Sequence, residues 1–270
     1  MSEAKSFYIV PCHNKQNMIS EVLSSITRCH DSSIHERHII CILDGCTDGS
    51  ESLVSSFAKE NENVHVLFES NIHEIGCLNR GLRFIQENLS PSGEDLVFTI
   101  QDDVILEEEQ INKKFQELFS LRDDFGYVSM RLGVSVFKAD GELKERGYVE
   151  SEFGHWKQLN WNFHTNVNRY SFMESEVAVR SPTCTQWKRF EEIGFFDENL
   201  RPCGFDCHDF SIRMRKAGYK NGVFALKFRS DVDWGTMRSK TPSSYADKIA
   251  EVYGRNRKYI AEKHKDYFGG

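Results

Sequence analysis

The 270-residue chain has no stretch that approaches the roughly 18 consecutive apolar residues of a membrane span, so no membrane helix is expected. Positive charge is in short supply as well. Lys and Arg number 34 against 41 Asp and Glu, for a net charge of -7. That balance excludes broad nucleic-acid binding, which needs a basic face. It leaves anionic small molecules open, because a metal or backbone dipoles can hold a phosphate on an acidic protein. No GxGxxG follows the first apolar run, which argues against a dinucleotide cofactor, and no GxxxxGK[ST] occurs, which excludes a P-loop. Internal repeats and low-complexity tracts are also missing.

The polar start, Met1 to Lys5, enters an apolar run too short for a signal peptide. Eight scattered cysteines suit free thiols in a reducing compartment better than a disulfide framework. The cytoplasm is the expected location, with peripheral membrane association left open. Cys203, Cys207 and His208 match no common zinc spacing, and no fourth ligand accompanies them.

What the chain does have is alternation. Ser6 to Val10 reads as a strand stopped by Pro11, and a helix follows with Ile19, Val22, Leu23 and Ile26 on one face. His38 to Leu43 is a second strand, before a helix that Asp48 or Ser50 can cap. Val64 to Phe68 leads to a helix with Leu78, Leu82 and Ile85. Leu96 to Ile100 is a fourth strand, buried on both faces, and Glu107-Glu108-Glu109 open the next helical pattern. Four strand–helix alternations predict a parallel sheet with helices on both faces, its first half a nucleotide-binding half-domain. A long amphipathic helix is expected from Ser243 to about Lys265, with Tyr245, Ile249, Val252, Tyr253 and Ile260 inward.

The fourth strand runs into Asp102 and Asp103. Ligands of open α/β sheets sit at the carboxyl ends of strands. Two adjacent carboxylates there repel, and a hard divalent cation beside something phosphorylated relieves the repulsion; capping of the next helix is the alternative. Asp44, at the end of the second strand, can accept hydrogen bonds from a nucleobase or ribose, and Pro11-Cys12-His13-Asn14 offers a wall for the base. Residues 148–172 mix aromatics with amides, which suits a sugar face or an ordinary core.

Several motifs stand in order. They are Val10-Pro11-x-x-Asn14, Asp44 to Ser50, Asn71, Asn79-x-Gly81 and the strand ending Asp102-Asp103. Gly194-Phe195-Phe196-Asp197-Glu198 follows, then an Asp opening a helix that closes with Ala217-Gly218-Tyr219. Over roughly residues 6–225 this series resembles the inverting family 2 glycosyltransferases of the GT-A fold. The resemblance implies an α/β, Rossmann-like, mostly parallel sheet flanked by helices in a single domain over residues 1–270. Residues 1–125 would hold the donor, 126–230 the acceptor, and 231–270 a helical segment with the long terminal helix.

It further implies a nucleotide diphosphate sugar donor, a saccharide or other hydroxyl acceptor, and Mn²⁺ or Mg²⁺. Pro11, His13, Asn14, Asp44, His73, Gly76, Asn79 and Asp102 would then bind the donor, and Asp103 would bind the metal. Asp209 matches the catalytic carboxylate; His208, Asp206, Trp156 and Arg180 would face the acceptor. The chain departs from the family pattern in four places. Leu43 and Gln101 replace carboxylates, His208 replaces a Glu, and Asp231-Val232-Asp233-Trp234 replaces a His, so that Asp233 takes over as a metal ligand. Bacterial polysaccharide or surface-glycan synthesis is the expected setting. A nucleotidyltransferase would want a glycine-rich basic loop, and Pro11 to Gln16 has no glycine. A non-catalytic nucleotide- or sugar-binding module would not need Asp103 and Asp209 together.

Overall fold

The computed structural model describes residues 4–153, 165–230 and 243–269, with backbone alone for 165 and 243–247. Its centre is β1 (Lys5–Cys12), with β2 (Glu36–Asp44) on one side and β4 (Leu96–Thr99) on the other. Beyond β2 lies β3 (Val64–Glu69), and these four strands are parallel. They alternate with α1 (Ile19–Cys29), α2 (Ser50–Glu60) and α3 (His73–Asn88). The order β3-β2-β1-β4 is that of a nucleotide-binding half-sheet.

β1 continues through Pro11 instead of stopping at it. Ile9 uses its backbone on the β4 side, where it accepts from the Ile100 amide, and the β1–β4 pairing ends at Ile9–Thr99. Pro11, two residues on, shares that side, so its missing N–H removes no ladder bond. β4 is shorter than the apolar run suggested, which leaves Asp102 and Asp103 in the turn beyond it. A two-residue strand, β5 (Ile105–Leu106), precedes α4 (Ile111–Leu121). Glu108 does not open α4. It is buried and bonded to Lys114, Arg169, Tyr170 and the Lys227 amide, tying the first half of the chain to the second.

The second half completes the sheet. β6 (Phe125–Ser129) leads into a hairpin of β7 (Leu132–Ala139) and β8 (Glu142–Ser151). The short strands β9 (Thr165–Val167), β10 (Phe172–Ser175), β11 (Val177–Val179) and β12 (Thr183–Gln186) follow. Then come α5 (Trp187–Ile193), α6 (Asp206–Lys216), β13 (Lys220–Phe224), β14 (Phe228–Arg229) and α7 (Ser243–Lys263). The eight-stranded order is β10-β13-β6-β12-β4-β1-β2-β3, with β12 antiparallel to both neighbours. A four-stranded sheet, β11-β7-β8-β9, lies beside it.

Alternation along the central strands fills both faces. Tyr8, Val10, Ile39, Cys41 and Phe98 meet α1 and α4, while Phe7, Ile9, Ile40, Ile42 and Val97 meet α3. Each fully buried aliphatic or aromatic side chain contributes about 1.5–3 kcal/mol of transfer energy. Phe98, stacked on Tyr8 at 4.6 Å, is one whose truncation to Ala would cost about 3–5 kcal/mol. α3 sits close because Gly81 has no Cβ; one there would come within 2.7 Å of Ile9 Cγ2. At the other edge Gly218, at φ +93°, ends α6 as its sequence position suggested. No helix among the described residues is long and apolar enough to cross a membrane.

Candidate active site

The carboxyl ends of β1, β2 and β4 form one floor. The His13 amide donates to Asp102 Oδ2 at 3.0 Å, and His13 Nδ1 donates to the Asp44 carbonyl at 2.6 Å. Asn14, at φ +53°, accepts from the Thr47 amide at 2.7 Å. The turn after β1 is thus pinned to both neighbouring strand ends. Gly45, at φ +61°, is needed where it stands, since a Cβ would lie 2.9 Å from Asn71 Oδ1. Asp44 is buried, and its two carboxylate oxygens each accept from the start of α3, from the amides of Ile72 and His73, both at 2.8 Å. It caps α3 from the neighbouring strand, so only its remaining lone pairs are left for a nucleoside.

Asp102 and Asp103 stand just past β4. Burial pushes the Asp102 carboxyl up to about 7; Lys15 opposes this and the Asp103 charge adds to it. Asp103 is buried, and its Oδ1 has no hydrogen-bond partner among the described residues. Leaving such an oxygen unpaired costs about 1–3 kcal/mol, so a ligand that takes it gains by that amount. A hard divalent cation is such a ligand. No group of three His, Cys, Asp or Glu side chains gathers around a common point among the described residues. One or two carboxylates completed by phosphate and water is the ordinary Mg²⁺ pattern, and the pair fits it.

Gln101 continues the floor toward the second half of the chain. Its amide donates to Ser181 Oγ at 3.0 Å, and its Nε2 donates to Glu74 Oε1 at 2.6 Å. Glu74 Oε2 pairs with Arg180 Nη2 at 3.2 Å. The same guanidinium meets both oxygens of Asp206: Nη2 donates to Oδ1 at 3.1 Å, and Nη1 stands 2.6 Å from Oδ2. The second contact lies within ion-pair range but outside hydrogen-bond alignment, so Oδ2, like Asp103 Oδ1, is a buried oxygen without a hydrogen bond. Glu74 carries no motif; only its place in the first turn of α3 hinted at a role.

Asp209 departs from its expected position. It is fully buried, and its oxygens are held by Arg213 Nε at 2.8 Å, His264 Nε2 at 2.8 Å and Lys263 Nζ at 2.6 Å. Burial alone would raise its pKa, but the His264 hydrogen bond and the Arg213 and Lys263 charges outweigh it and hold the carboxyl far below the usual range. A carboxylate so enclosed has no face for an acceptor hydroxyl. His208 is likewise engaged, with Nε2 2.6 Å from Glu145 Oε1. Burial opposes its protonation, yet contact with Cys207 and Glu145 pushes it up to about 10.

Two residues expected at the donor serve packing instead. Asn79 is buried and exchanges hydrogen bonds with the Phe196 backbone, at 2.8 and 3.0 Å, while also reaching Glu198. Gly76 lies inside α3 against Ile72 and Arg201. His73, exposed at the start of α3, stands beside Asp44. Trp156 and Asp233 lie outside the described residues.

A half-sheet with a polar floor at its carboxyl end, joined to a second, mixed half, defines a GT-A nucleotide-binding fold. The model of the family Glycosyl transferase family 2 matches residues 8–217, and the chain belongs to that family. Among solved structures it is similar to the mannosyltransferase PcManGT from Pyrobaculum calidifontis, in complex with GDP-Man and Mn²⁺. The TM-score is 0.60 and the identity 14%, over 96% of this chain and 64% of that one. S. aureus TarS 1-349 in complex with UDP gives a TM-score of 0.53 at 16% identity, over 84% of this chain and 60% of that one. A second TarS structure gives 0.53 at 14%, over 92% of this chain and 39% of that one. This chain therefore spans less than two thirds of each of these structures. No curated protein sequence matches it.

Proposed function

We propose that the chain transfers a sugar from a nucleoside diphosphate sugar to a saccharide or other hydroxyl acceptor, with inversion and with Mn²⁺ or Mg²⁺. The observation that carries this reading is a pair of buried carboxylates, Asp103, whose Oδ1 has no hydrogen bond, and Asp206, whose Oδ2 meets only the Arg180 guanidinium, near the two ends of one chain of contacts. Family membership supports the reaction class, and the GDP-Man, Mn²⁺ and UDP of the similar structures support the donor and the metal. Residues 1–125 would serve the donor and 126–230 the acceptor, with 231–270 closing the domain. A cytoplasmic enzyme of bacterial polysaccharide or surface-glycan synthesis is the setting we favour, by analogy with the fold.

Asp103, with Asp102 beside it, would hold the cation, which when bound supplies positive charge against the departing diphosphate. His13 and Asn14 form the wall for the base, and Asp44 offers its free lone pairs to the nucleoside. Asp206 is the base in this reading, in place of Asp209: both are buried, but Asp206 meets the single guanidinium of Arg180 while Asp209 is held by Arg213, His264 and Lys263. It takes the acceptor's hydroxyl proton as that oxygen attacks the anomeric carbon from the face opposite the diphosphate. Asp206→Asn should leave nucleoside diphosphate affinity unchanged and cut transfer by roughly 10²–10⁴-fold. Normal turnover in that variant would remove Asp206 from the role.

A further inference from the structure

Glu74 and Arg180 have no place in the reaction as derived so far, yet they connect its two ends. Gln101 adjoins the acidic pair and donates to Glu74 at 2.6 Å; Glu74 pairs with Arg180 at 3.2 Å; Arg180 grips Asp206 at 2.6 and 3.1 Å. Arg180 and Asp206 have side chains only 8% and 1% exposed, while Glu74 is 25% exposed. Four segments distant in sequence meet here: the first turn of α3, the loop after β4, the loop after β11 and the start of α6.

We propose that Glu74 and Arg180 are positioning residues for Asp206. The inference rests on the reading of Asp206 as the base. A planar guanidinium set against both oxygens of a carboxylate fixes its orientation as a point charge could not. A guanidinium belonging to Asp206 alone would also hold that carboxylate's charge too firmly for it to take up a proton. Glu74 prevents this by drawing on the same Nη2, so that one cation is divided between two carboxylates. Cys203, Cys207, Tyr127 and Tyr253 also lie around Asp206 and none of them is a standing cation, while the His208 imidazole two residues on is engaged by Glu145. Arg180 is therefore the cation that orients the base, and Glu74 sets how much of its charge the base feels.

The test compares Glu74→Gln, Arg180→Lys and Asp206→Asn in the full chain. Glu74→Gln keeps an acceptor for Gln101 but removes the charge. It should lower kcat about tenfold, a barrier rise of about 1.4 kcal/mol. The acid limb of kcat/KM should move to lower pH, while UDP or GDP affinity measured with Mn²⁺ stays within about twofold, inside the scatter of distant sites. Arg180→Lys keeps the charge and loses the fork; kcat should fall up to about 10²-fold, as for a misplaced catalytic group. Unchanged kcat and an unmoved pH limb in Glu74→Gln would overturn the proposal. So would weakened diphosphate affinity with kcat intact, which would assign Glu74 to the donor. Glu74→Gln keeps the test decisive if the buried Arg180→Lys does not fold. Full turnover in Asp206→Asn would sink the base reading itself; loss there with normal Glu74→Gln and Arg180→Lys would sink only this inference.

Discussion

Replacing Asp209 with Asn separates a structural carboxylate from a catalytic one. The side chain is fully buried among Arg213, His264 and Lys263, at 2.8, 2.8 and 2.6 Å. Removing one partner of a buried ion pair costs about 3–5 kcal/mol, because the other charges are left uncompensated. Two features place this case at the lower end. Lys263 is 29% exposed and Arg213 is 19% exposed, so both can recover water, and Asn still accepts a hydrogen bond from one of them. A loss of about 3 kcal/mol corresponds to a fall in Tm of roughly 6–12 °C for a domain of this size.

Thermal melts of the wild type and Asp209→Asn should show that fall, while turnover measured well below the lowered Tm stays near normal. The difference should itself depend on pH. The folded state holds the Asp209 carboxyl below its unfolded value, so the stabilisation is fully present above the ordinary carboxylate range near pH ~4 and is lost as pH falls through the folded value. An unchanged Tm combined with a collapse of transfer would refute this reasoning and return Asp209 to the role of base.

Asp103→Asn should abolish the gain in UDP or GDP affinity that Mn²⁺ gives, measured by calorimetry with and without chelator; an equal gain in the variant would remove Asp103 as a ligand. Asp44→Ala should cost about 1–2 kcal/mol of stability, the loss of a cap at the start of α3, and should weaken nucleoside binding without altering the metal dependence. The His208–Glu145 pair should stabilise the fold fully below pH ~6.5 and fade as pH rises through about 10, because the folded state raises the imidazole pKa. Glu145→Gln should therefore lower Tm at pH 7 and have little effect above pH 10, and a constant difference across that range would contradict the assignment.

The first half was legible because its signals are local. Apolar runs, glycines and an Asp at the end of the second and fourth strands can be read within ten residues, and Asp44, His13, Asp102 and Asp103 do meet at one floor. The second half was less legible because its partners come from far along the chain. Asp209 and Asp206 both sit in the first turn of α6, and nothing in Gly204 to Phe210 tells one from the other. The distinction lies in Lys263 and His264, more than fifty positions later, and in Arg180. The packing contact of Asn79 is remote in the same way: its partner, the Phe196 backbone, lies 117 positions away. Glu74 stood in no pattern at all, since its contacts come from the loops after β4 and β11.

The burial of Asp209 against α7 also bears on how the chain is made. His264 lies 55 residues after Asp209. At about 5–20 residues per second of synthesis, α6 leaves the ribosome roughly 3–11 s before Lys263 and His264, two of the three partners of Asp209. Arg213, 19% exposed, arrives within the same helix. Until α7 is made, Asp209 therefore lacks the Lys263 and His264 contacts that accompany its burial. α7 then completes the enclosure of Asp209 in the second half of the chain.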